Sequence, residues 1–155
     1  MGSLFNGQGF LGSNAPFISD ISLLLMLLMA VSFTLGWWLA LRRRYAAHRW
    51  VQTFTVVLNT CVVGVVMVSS FVLFLLPGIP GKLGEGSYGI TTLHALVGLA
   101  SVILGVYVIL GGNELLPKRL RYTHYKRWMR LSYALYMLST LLGIVVYVVV
   151  FIYGI

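Results

Sequence analysis

The chain has 155 residues, of which 59% are hydrophobic and only 9% charged, and its formal net charge is +8. That balance excludes an ordinary soluble domain and fits an integral membrane protein of one domain. The basic residues lie in two short loops between apolar runs. This argues against nucleic acid as a partner and makes them topology signals and candidate contacts for anionic lipid headgroups.

Residues 1–17 are rich in Gly, Ser and Asn, with Phe5, Phe10 and Phe17 interspersed. They read as an irregular arm lying along the membrane surface or on a neighbour, too short and glycine-rich to fold alone. The N-terminus lacks the basic start of a secretory signal, so the first apolar run is expected to be a retained span. Asn6 stands where the myristoylation pattern opened by Gly2 needs a hydroxyl residue. Ser19 or Asp20 is the candidate N-cap of a first helix from about Ile21 to Leu41. Met26, Met29, Phe33 and Gly36 fall on one side of it, a flexible packing face. Trp37 and Trp38, followed by Arg42, Arg43 and Arg44, mark a membrane interface on the cytoplasmic side.

The second run, Trp50 to Leu76, is the most informative. It is entered through His48, stopped by Pro77 and free of charge, and it exceeds the roughly 20 residues a span needs. His48, Gln52, Thr55 and Asn59 recur at helical spacing and share one face. Lipid offers such a stripe no hydrogen-bond partner, so it must face protein or a cavity. Cys61, the one cysteine, permits no intrachain disulfide and is expected as a small buried apolar residue. Pro77 to Gly89 is a Gly/Pro-rich turn carrying only Lys82 and Glu85, placed outside by the positive-inside rule.

A third helix is expected from about Thr91 to Leu110. His94, Gly98, Ser101 and Gly105 lie on one face, an imidazole followed by a small-residue surface that another helix or a flat ligand could approach closely. The loop from Gly111 to Arg130 holds Lys118, Arg119, Arg121, Lys126, Arg127 and Arg130, so it is cytoplasmic. Glu114, its single acid, is expected to pair with one of these cations. The fourth helix is expected from about Leu131 to Tyr153, with Tyr136, Thr140, Gly143 and Tyr147 on one side. The fold class is therefore all-α, an integral membrane four-helix bundle with both termini outside and two basic cytoplasmic loops. Trp50 and Trp128, not used in that derivation, fall at the same interface as Trp37 and Trp38.

Three histidines could carry chemistry: His48, His94 and His124. His48 and His124 are expected at the cytoplasmic end and His94 near the other, about 30 Å away, so His94 should not share one metal with His48. Two readings compete. In one, neutral imidazole ligates haem iron or copper, and the glycine face below His94 is a bed for a porphyrin. In the other, the histidines are hydrogen-bonded and structural. At about 100° per residue, His124 lies about 160° from Thr140, so it does not share that face on a continuous helix, which counts against a His48–His124 pair. No nucleophile–base pair, carboxylate dyad, phosphate loop or Cys-x-x-Cys motif is present, so an enzyme is not expected. An intramembrane carboxylate is not expected either, which argues against a proton-relay transporter.

His48-Arg49 opening the second helix, His94 opening the third, His124-Tyr125-Lys126-Arg127 before the fourth, and the ending Tyr136…Gly143-Ile144-Val145-Val146-Tyr147 carry a resemblance. Over roughly residues 45–150 the chain resembles the CtaM-type family of small four-helix bacterial membrane proteins, which are linked to making haem-copper terminal oxidases functional. The resemblance implies a non-catalytic accessory or assembly role in the bacterial cytoplasmic (inner) membrane. It also implies lipids and integral membrane subunits of an electron-transfer complex as partners, with the histidines as candidate contacts to haem or copper. Trp50-Val51 stands where family members often carry a methionine, a departure from any methionine-assisted copper role. The arm falls outside the resemblance and would suit a member recruited as a fixed subunit. The alternatives are a structural subunit of a respiratory or photosynthetic complex, and a small b-type cytochrome with histidine-ligated haem.

Overall fold

The computed structural model describes residues 8–121 and 123–154; Gly2, Phe5 and Asn6 lie outside them. Four helices are long and apolar enough to cross a membrane: α1 (Phe17–Leu41), α2 (Tyr45–Gly78), α3 (Gly86–Gly112) and α4 (Tyr125–Ile152). Among the described residues the only extended pairing is an isolated bridge between Gln8 and Pro16. The chain is a multi-pass, all-helical membrane protein.

Every helix begins earlier than the hydrophobic pattern suggests: α1 at Phe17, α2 at Tyr45, α3 at Gly86 and α4 at Tyr125. Charge and glycine end an apolar run, but they do not end a backbone hydrogen-bond ladder. Tyr45–Arg49 and Tyr125–Arg130 are helical with most side chains exposed, carrying the helices past the hydrocarbon edge. In the first turns of α3, Thr91 and Thr92 return their hydroxyls to the Ser87 and Tyr88 carbonyls. Lys82 lies over the Tyr88 ring at 5.4 Å and closes the turn.

Neighbouring helices are antiparallel, so Arg42–Arg49 and Lys118–Arg130 gather at one end of the bundle, the basic end, and the arm lies at the other. The core is Met29 and Phe33 of α1, Val56 and Val62 of α2 and Tyr136 of α4, with the Phe33 and Tyr136 rings 4.3 Å apart. The buried residues of α3 are Gly98, Ser101, Gly105 and Val108. Small side chains let α4 come close: a Cβ on Gly98 would lie 3.3 Å from Ser139 Oγ. The small-residue face is therefore occupied by a helix.

Beyond Val62, α2 changes character. It passes through π turns at Val63–Met67 and Phe71–Leu75 and a closing 3-10 turn at Leu76–Gly78, none with a buried residue. Its 34 residues span about 51 Å at 1.5 Å each, against about 30 Å of hydrocarbon, so α2 tilts or overshoots the bilayer. Cys61 is exposed, not buried as expected. On a membrane helix, an apolar side chain can satisfy its hydrophobicity against lipid as well as against protein.

At the basic end α1 and α3 terminate alike. Arg43 (φ 59°) and Glu114 (φ 61°) adopt the left-handed conformation. Arg44 N–H reaches back to Leu39 O, and Leu115 N–H to Leu110 O, the pattern that ordinarily calls for glycine. Glu114 is exposed and forms no ion pair among the described residues, contrary to expectation.

Candidate functional site

The stripe on α2 faces protein. His48 is 7% exposed, and its Nδ1 lies 2.7 Å from the Gly36 carbonyl of α1. A carbonyl only accepts, so Nδ1 carries the proton and the lone pair of the neutral ring is on Nε2. One turn on, Gln52 donates to Phe33 O at 3.2 Å. The Gln52 bond depends on Gly36, because a Cβ there would collide with the Gln52 side chain. Thr55 is buried and bonds its own helix at Val51 O. Asn59 is buried too, yet its amide makes no hydrogen bond among the described residues.

Beside these residues is a cavity of about 50 Å³. His48, Arg49, Gln52 and Thr53 of α2 line it, with Gly105 of α3, Asn113 at the C-terminal cap of that helix, and Tyr125 and Ser132 of α4. Asn113 fixes one wall by donating to Thr53 Oγ1 at 3.0 Å and to Ile109 O at 2.8 Å. His124 does not reach this group. It is exposed at the N-cap of α4, which leaves His48 without a second histidine at its level.

His94 lies toward the arm end, half buried, with Nδ1 3.0 Å from Ser139 O of α4. It too carries its proton on Nδ1 and turns Nε2 away from that bond. Gly143 makes room for it: a Cβ there would be 2.9 Å from His94 Cε1 and 2.7 Å from Met26 Sδ. An imidazole beside a thioether is a donor pair that suits a soft ion such as Cu(I). Among the described residues no group of three or more His, Cys, Asp and Glu completes a metal site. Haem does not fit. Helix α4 packs on the Gly98–Gly105 face and Val56 of α2 covers its Gly105 end, and the cavity by His48 is far smaller than the roughly 300 Å³ of even a small ligand pocket.

A third polar group was not foreseen. Asp20 is fully buried. It is not an N-cap: that position is Pro16, and no side chain caps the helix. The arm folds over it, closed by a Gly9 N–H to Ala15 O bond and tied to α4 through Asn14 N–H and Phe151 O. Phe10 and Leu11 N–H donate to Asp20 Oδ2 at 2.7 and 2.8 Å, and Tyr147 O–H donates to Oδ1 at 2.6 Å. Tyr147 has only that one proton, so Ser13 O–H must be the donor in its 2.6 Å contact with the Tyr147 oxygen. Helical phase could not have located this cluster, since Asp20 lies about 180° from Met29 at 100° per residue. The arm and Tyr147 bury it, not the core stripe.

No protein family, curated protein or solved structure matches this chain in the comparisons made.

Proposed function

We propose that the chain is a non-catalytic accessory or assembly factor of a haem-copper respiratory oxidase in the bacterial cytoplasmic membrane, with its basic end in the cytoplasm. One observation carries the reading. Two of the three histidines that bear the family resemblance, His48 and His94, are held by a neighbouring helix through Nδ1 while Nε2 stays without a hydrogen-bond partner among the described residues. Imidazoles oriented in this way are ready to meet a group supplied by another molecule. Among the described residues neither joins a group of three or more His, Cys, Asp and Glu.

The arm favours a second reading, a fixed structural subunit of a respiratory or photosynthetic complex. It is pinned to the bundle, yet leaves Phe10 and Leu11 exposed at 52% and 44%, where a stable neighbour could cover them. Deletion of the gene followed by an oxidase assay tests the first reading, which is lost if oxidase activity is unchanged. Copurification separates the two. A fixed subunit is recovered in stoichiometric amount with its complex, and an assembly factor is substoichiometric or missing from the mature complex.

A further inference from the structure

We propose that the basic end holds a binding site for the phosphate of an anionic phospholipid, centred on Arg49 at the four-helix cavity. This goes beyond the accessory reading and does not depend on it. All of the 11 lysines and arginines except Lys82 lie in Arg42–Arg49 and Lys118–Arg130, and all of these are exposed. Glu114 is the single acid among them, and no ion pair forms at this end among the described residues. Arg42 stacks on Trp38 at 5.0 Å and Arg121 donates to Leu116 O; neither contact neutralises charge. The first turns of α2 and α4 contain no acidic residue, and Lys126 and Arg127 stand where the helix dipole is already positive. The excess therefore has no internal counter-charge and must find an anion outside the chain.

The cavity supplies a place for it. Its volume of about 50 Å³ corresponds to a few water positions at 10–15 Å³ each, the scale of a phosphate group and not of a ring system. Arg49 lines it beside Gln52, Thr53 and Asn113. The wall is formed in advance, because Gln52 is tied to Phe33 O and Asn113 to Thr53. Trp37, Trp38, Trp50 and Trp128 are all at least partly exposed at this end, Trp50 at 71%, and such an indole belt lies at headgroup level. The phosphate available at that depth belongs to lipid. A zwitterionic lipid brings its own cation, whereas an anionic one offsets the excess.

The test is thermal melting of the full chain in neutral detergent with phosphatidylglycerol, phosphatidylcholine or inorganic phosphate added, using wild type, Arg49→Gln and Lys82→Gln. Phosphatidylglycerol is expected to raise the wild-type Tm by several degrees while the other two leave it unchanged. Arg49→Gln is expected to lose at least half of that rise, and Lys82→Gln to keep it. An equal rise with phosphatidylcholine, reproduction of the rise by inorganic phosphate, or a full rise in Arg49→Gln would each overturn the site. If Arg49→Gln does not fold, native mass spectrometry of the wild-type chain decides. Retention of phosphatidylglycerol about tenfold over phosphatidylcholine at equal supply supports the site, and equal retention refutes it.

Discussion

The two ends of the bundle treat polar groups in opposite ways. At the arm end Asp20 takes three hydrogen bonds, two from main-chain N–H groups of the arm and one from Tyr147, and it has no accessible surface. Positive φ at that end falls on Gly12 and Gly154, where it costs little. At the basic end the buried His48 and half-buried Gln52 use α1 carbonyls, no cation forms an ion pair among the described residues, and the left-handed positions are held by Arg43 and Glu114. One end is completed by the chain itself; the other is left for something outside the chain to complete.

The largest effect is expected where the chain completes itself. Asp20→Ala removes the acceptor of three donors and leaves two arm N–H groups unpaired. A loss of about 3 kcal/mol or more is expected, seen as a lower Tm in detergent together with faster proteolysis within residues 8–16. Asp20→Asn keeps an oxygen for Phe10 and Leu11, and Ser13 can accept the Tyr147 proton, so its loss should be less than half as large. Equal losses in the two variants would mean that negative charge, and not hydrogen bonding, holds the arm.

Next comes the His94 junction. Gly143→Ala places a Cβ 2.7 Å from Met26 Sδ and 2.9 Å from His94 Cε1, and overpacking of this kind costs about 1–3 kcal/mol. Met26→Ala should therefore cost less in the Gly143→Ala background than in wild type; equal costs in the two backgrounds would mean that the Met26 contact is not what opposes the added methyl.

These two sites also show what the sequence could and could not reveal. The four spans were legible because charge-free runs of that length have no other use. Burial of His48, Thr55 and Asn59 followed from the absence of hydrogen-bond partners in lipid. The small-residue surface at Gly98 left two occupants open, a helix or a flat ligand, because spacing describes a surface and not what fills it; α4 is there. The helix starts were misjudged because polarity marks the membrane edge and not the end of a helix. Asp20 escaped because its partners Phe10, Leu11 and Tyr147 are brought to it by the fold of the arm, which no periodicity encodes.

Strain at the basic end gives a smaller effect of opposite sign. Arg43→Gly removes a Cβ from the left-handed region and is expected to stabilise the chain by about 1 kcal/mol. Glu114→Gly should do the same at the end of α3. If instead Arg43→Gly lowers the Tm in anionic lipid while raising it in neutral detergent, the arginine is kept for its charge and the strain accompanies an interface.

The smallest effect belongs to Asn59, and it bears most directly on the proposed role. The residue is 7% exposed, and its amide forms no hydrogen bond among the described residues while keeping some accessible surface, so Asn59→Leu removes no internal hydrogen bond. The Tm should move by less than about 1 kcal/mol in equivalent stability, upward if at all. A partner that supplies the missing bond would lose about 1 kcal/mol of interhelical contact, or roughly fivefold in the amount copurified. Near-unchanged stability with reduced copurification is the expected pair of results. Unchanged copurification would make this last position of the His48–Asn59 stripe ordinary packing, and His48 and Gln52, already bonded to α1, would then have no outward continuation along that stripe.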